Sequence, residues 1–171
     1  MKKIYISLPA LIMLLLSACL KDKPAVDFST VGTIIELLPV NGGGLEGFGS
    51  AELDFDPTET TDSAAIVLNI ASPHPLNTAL TISMQVDDNM RSTYNSANPV
   101  QYDILPDSVY SFPVTSATIP AGLHLDTLQV YFNPSKIDTT KNYMLPVSIK
   151  DAQGQTISGN FGTIYFHTNA R

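Results

Sequence analysis

The sequence predicts an all-β sandwich with one short helix, standing behind an export leader. Beyond position 27 apolar residues recur with a period of two, as in strands buried on one face. Turn signals separate these runs at the short intervals of a sandwich. Only residues 88–97 carry a helical pattern.

In chain order, Lys2 and Lys3 precede an apolar segment over residues 4–16 and then small residues before Cys19, the only cysteine. This is the order of an export signal. The apolar run is shorter than the roughly 20 residues a spanning helix needs, and it contains Ser7 and Pro9. Residues 1–18 are therefore read as a cleaved leader. Leu16-Ser17-Ala18-Cys19 resembles the lipobox of bacterial lipoproteins. That resemblance implies that Cys19 is acylated and becomes the mature N-terminus, since two or three acyl chains anchor stably where one is marginal. The first partner expected is thus a membrane, held through an N-terminal lipid anchor.

Residues 19–27 are mostly polar, contain Pro24, and read as a lipidated tether. Residues 28–171 suit one domain. Loss of the leader removes two of nine basic residues, leaving seven against sixteen acids and a net charge of −9. Such a surface repels phosphate backbones, so no nucleic-acid partner is expected. With Cys19 acylated, no disulfide or thiolate metal site remains.

Within the domain, Leu80, Ile82, Met84 and Val86 alternate with Thr81, Ser83 and Gln85, giving the clearest half-buried strand. Similar alternation joins Leu128, Val130 and Phe132, and again Tyr143, Leu145, Val147 and Ile149. Residues 64–70 and 164–166 read as more continuously apolar strands. Pro146 cannot donate to a ladder, so the 143–149 strand is expected to lie at an edge or to bulge there. Asn41-Gly42-Gly43-Gly44, Ser72-Pro73-His74-Pro75, Pro120-Ala121-Gly122, Asn133-Pro134 and Gln153-Gly154 mark turns. Residues 88–97 form the helix, with Asp88 as its expected N-cap and Met90 and Tyr94 on one face.

Tyr94-Asn95, Tyr102-Asp103-Ile104-Leu105-Pro106, Tyr110, Thr118-Ile119-Pro120-Ala121-Gly122 and Tyr143-Met144-Leu145-Pro146-Val147-Ser148-Ile149 carry a further likeness. Over about residues 50–168 the chain resembles a Bacteroidetes domain of unknown function. That domain stands near the N-terminus of surface lipoproteins, including some related to family 18 endo-β-N-acetylglucosaminidases. The resemblance implies an immunoglobulin-like β-sandwich and residence at the outer membrane, often among glycan-utilisation proteins. In longer relatives a catalytic or lectin-like domain commonly follows. Here the sequence stops at Arg171, and the expectation is the accessory module without enzymatic activity. Gly122 is expected to supply a positive φ in the turn after Ile119. Residues 102–110 are expected to form a loop whose rings cover one end of the sandwich.

Few residues suggest chemistry. His74, His124 and His167 lack ligand spacing. Asp54-Phe55-Asp56 and Asp87-Asp88-Asn89 lack the spaced aspartates and glycine of a calcium loop. Gly42-Gly43-Gly44, with Gly47 and Gly49, has no P-loop lysine. No Gly-x-Ser-x-Gly elbow anchors a hydrolase triad. No cofactor, metal site or catalytic residue is therefore expected. Sugars stack on aromatic faces, and the chain has 7 Tyr and 7 Phe but no Trp, which points to tyrosines if to any residue. Tyr94, Tyr102 and Tyr110 form the candidate platform; the alternative is that they cap the core.

The expected function is a lipid-anchored, non-catalytic accessory module. It would sit at the cell surface or on the periplasmic face of the outer membrane and bind a polysaccharide or glycoprotein glycan, or scaffold an outer-membrane glycan-utilisation complex. One rival is an adhesin or fimbria-like subunit pairing through an edge strand. The other is a hydrolase whose site assembles only in three dimensions.

Overall fold

The structure of the protein, a computed structural model, describes residues 32–39 and 49–171. The leader, Cys19, the tether and the turn at Gly42-Gly43-Gly44 lie outside the described residues. The described chain forms strands β1 (Ile34–Pro39), β2 (Gly49–Glu52), β3 (Asp62–Ala71) and β4 (Leu80–Val86), then helix α1 (Asp88–Ala97). There follow β5 (Asp103–Ile104), β6 (Tyr110–Ser111), β7 (Ser116–Ile119), β8 (Leu125–Phe132), β9 (Tyr143–Asp151), β10 (Thr156–Ile157) and β11 (Thr163–Thr168).

These strands make two sheets, ordered β10-β1-β3-β8-β6 and β2-β11-β9-β4-β7, with β5 added beside β9. The opening of the domain is divided between them. β1 runs antiparallel to β3 in the first sheet, whereas β2 runs parallel to β11 in the second. With the remaining strands largely antiparallel, this is an immunoglobulin-like sandwich.

The period-two pattern locates the core. Ile35, Leu37, Ile66, Leu68 and Val130 point inward from the first sheet and Ile82, Leu145, Val147, Ile164 and Phe166 from the second, all fully buried. Each contributes about 1.5–3 kcal/mol through burial. Phe132 ties the layers together, its ring 5.1 Å from that of Phe55 and 6.0 Å from that of Phe166.

Three local expectations change. β9 is an interior strand, between β11 on one side and β4 and β5 on the other. Its proline is accommodated because Pro146 pairs with Tyr165 and its carbonyl accepts from Asp87 N–H at 3.0 Å. In an antiparallel strand a residue's N and C=O face the same side. The Pro146 nitrogen thus faces the gap where β5 has ended and β4 is giving way to α1, and no ladder bond is lost. The bulge is instead in β4, between Ser83 and Met84. The cap of α1 is Asp87 rather than Asp88, its side chain accepting from Asn89 N–H at 3.1 Å. The rings of residues 102–110 do not act together: Tyr102 covers a face of the second sheet, whereas Tyr110, with Leu105 and Val109, packs against the main core. β5 pairs in parallel with β9 and draws the Tyr102 ring over Met144. Gly122 has φ 83°, the conformation its turn requires.

Candidate functional site

The outer face of the second sheet is where the architecture departs from a plain sandwich. Residues 143–149 of β9 are buried on both faces, because α1 packs across the side turned away from the core. Met90 and Tyr94, one turn apart on α1, meet Tyr102, Met144 and Tyr165 in a second small cluster. Tyr94 and Tyr102 meet edge to face at 5.7 Å, and Tyr102 does the same to His167 at 5.7 Å.

The helix holds this layer through polar contacts as well. The Tyr102 carbonyl accepts from Arg91 Nη1 at 3.1 Å and Asn95 Nδ2 at 2.9 Å, while Tyr102 N–H donates to Asn95 Oδ1 at 3.0 Å. Its hydroxyl donates to Asn169 Oδ1 at 2.9 Å. Burial pushes the phenols of Tyr94 and Tyr102 above their usual range.

The three tyrosines singled out in the sequence therefore divide. Tyr94 and Tyr102 come together but are only 5% and 4% exposed, which leaves no ring face for a sugar. Tyr110 lies on β6 in the other sheet, packs against the main core and donates to Asp107 Oδ1 at 3.0 Å. The histidines are also dispersed. His74 is exposed in a turn, His124 Nδ1 lies 3.0 Å from the Ile70 carbonyl, and His167 is buried on β11. Among the described residues no group of three metal-ligating side chains converges.

A different site emerges beside the tyrosine layer. A groove of about 420 Å³ runs between the start of α1 and the loop of residues 158–162. Ser148, Thr163 and Tyr165 form its floor, Asp87 and Met90 one wall, and Ile157, Asn160 and the loop backbone the other. Ser148 Oγ and Thr163 Oγ1 share a hydrogen bond of 2.7 Å. Burial, then the Asp87 carboxylate, raises the Tyr165 phenol above its usual range.

Sequence reasoning missed this groove because its residues come from three separated segments, around residues 87–90, 148–149 and 157–165. The one local signal was the run Ser158-Gly159-Asn160-Phe161-Gly162, whose glycines and asparagine mark an irregular loop.

Residues 40–156 match a family model described as "-like, N-terminal domain". The chain belongs to that N-terminal domain family. No curated protein matches the sequence. Among solved structures, a candidate carbohydrate-binding protein from Bacteroides ovatus shares the fold with a TM-score of 0.63 at 13% identity, over 79% of this chain and 37% of that one. Bacteroides thetaiotamicron EndoBT-3987, crystallised with a Man5GlcNAc product, matches with a TM-score of 0.60 at 19% identity, over 78% of this chain and 30% of that one. A Bacteroides ovatus multidomain protein including DUF1735 matches with a TM-score of 0.62 at 18% identity, over 78% and 44% of the two chains. At these identities the shared property is the fold. The chain spans less than half the length of each of these proteins.

Proposed function

We propose that this family member is a non-catalytic accessory module for glycan handling, held at the outer membrane by lipid on Cys19 and facing the cell surface. The observation that carries the reading is that this sandwich occurs as a minor part both of a candidate carbohydrate-binding protein and of a protein crystallised with an oligosaccharide product. A fold that recurs as under half of longer proteins suits a support or contact module, whose loops supply the recognition surface.

Among the described residues that line the groove Asp87 alone is charged, so the groove itself holds no carboxylate pair. Glycoside hydrolysis ordinarily uses two carboxylates flanking the scissile bond. The test is a glycan array probed with the full-length chain. The expected result is retention on a subset of oligosaccharides with none of them cleaved. Release of shortened products, or an array without any bound glycan, overturns it.

A further inference from the structure

Building on that accessory-module reading, we propose that the groove between α1 and the 158–162 loop is the subsite for a neutral saccharide. A sugar ring offers hydroxyls around its edge and C–H groups on its faces, so it needs converging polar atoms beside apolar ones. The groove supplies both. Asp87 uses one carboxylate oxygen, Oδ1, to cap α1, which leaves Oδ2 as an acceptor for a ligand hydroxyl. The Asn160 side-chain amide lies exposed in the opposite wall and makes no hydrogen bond among the described residues. In the Ser148–Thr163 hydroxyl pair one oxygen accepts from the other, so the accepting group keeps its own hydrogen for a third partner. Met90 and Ile157 provide the apolar contact.

Charge selects among saccharides. Among the described residues no lysine or arginine lines the groove, and a sulfated or uronic ligand would meet Asp87 and an acidic molecule. The volume lies within the range of small-ligand sites, roughly 300–1,000 Å³.

The walls are fixed before any ligand arrives. Ser158 N–H donates to the Ile35 carbonyl at 2.9 Å, and the Phe161 carbonyl accepts from Leu37 N–H at 2.7 Å, so the loop is fastened to β1. The Gly162 carbonyl accepts from Ile149 N–H at 2.9 Å, which fastens it to β9 as well. Across the groove, Asp87 N–H is held by the Pro146 carbonyl. A site with both walls tied to the sheets loses little entropy on binding.

The experiment is titration calorimetry of the full-length chain against neutral mannose, N-acetylglucosamine, glucose and xylose oligosaccharides, with a sulfated oligosaccharide as the anionic probe. Asp87→Asn keeps an N-cap while removing the charge, and Asn160→Ala alters an exposed side chain. Each is expected to weaken binding of the preferred neutral probe about five- to tenfold, the loss of about one hydrogen bond, with Tm unchanged. Tyr131→Ala, which removes an exposed ring on the first sheet, is expected to bind as wild type. Undiminished binding by the Asp87→Asn, Asn160→Ala double variant overturns the groove assignment and leaves the accessory-module reading standing. So does loss of binding in Tyr131→Ala alone. Preference for the sulfated probe, or no binding to any neutral one, also overturns the proposal, and the glycan array then decides the module reading by itself.

Discussion

Gly162 is held to glycine by what surrounds it. A Cβ there would stand 2.6 Å from the Ser158 carbonyl oxygen and 2.8 Å from Ile157 Cγ2, and the first of these is backbone that cannot swing aside. Gly162→Ala should therefore destabilise the domain by about 1–3 kcal/mol, the usual cost of overpacking, and strain the bond from Ile149 N–H to the Gly162 carbonyl. Urea denaturation is the measurement, and an unchanged midpoint contradicts the argument. The requirement at Gly122 was legible in the sequence, because proline and alanine before a glycine announce a turn with positive φ. That at Gly162 was not, since it arises from the closeness of Ser158 and not from a dihedral angle. Tyr110 was misgrouped with Tyr94 and Tyr102 for a related reason. A two-residue strand, β6, carries it to the opposite sheet, and no periodicity registers over two residues.

Helix α1 is the element whose existence the sequence revealed and whose consequence it concealed. Met90 and Tyr94 share a face, as their spacing predicted, and the helix runs over the predicted residues. That it packs across β9 is a tertiary fact. It explains why Met144, Pro146 and Ser148 are buried although they point away from the main core. Pro146 misled for the same reason, because the place where β5 ends and β4 gives way to α1 is invisible until the strands are assembled. Tyr94 is the principal apolar anchor, so Tyr94→Ala should cost about 3 kcal/mol or more in the tyrosine layer. Hydrogen exchange checks this. Amides of residues 88–97 should lose protection while those of β3 and β8 keep theirs, and equal loss in both regions would mean that the helix is not a separate unit. The sheet edges bear on the adhesin reading. β10, β6, β2 and β7 are short, but β6 reaches only Tyr131 and Phe132, so among the described residues no strand pairs with the outer side of β8 over residues 125–130, and that stretch is where an incoming strand would add.

Two properties of the whole molecule lead to predictions. The first concerns anchoring: an acylated Cys19 would tether a body of net charge −9, which acidic lipid surfaces repel, so attachment would depend on the acyl chains. Cys19→Ala should move the protein from the detergent phase to the aqueous phase in phase partition, and unchanged partition contradicts lipidation. The second concerns alkali. Burial, followed by the hydrogen bond to Asp107 and that carboxylate's charge, pushes the Tyr110 phenol up to about 12. Burial also raises Tyr94, Tyr102 and Tyr165. In the unfolded chain all four titrate near pH 10. Below that pH both states hold these protons, and the contribution of the buried phenols to stability is complete. Above it the unfolded chain releases protons that the folded chain retains, so stability declines as pH rises and the Tyr110 share is gone once its folded pKa is passed. The urea midpoint should hold up to about pH 9 and fall by about pH 11, and Tyr110→Phe should make that fall shallower. A wild-type midpoint that stays level through this interval would mean that the phenols ionise as freely in the fold as in the open chain.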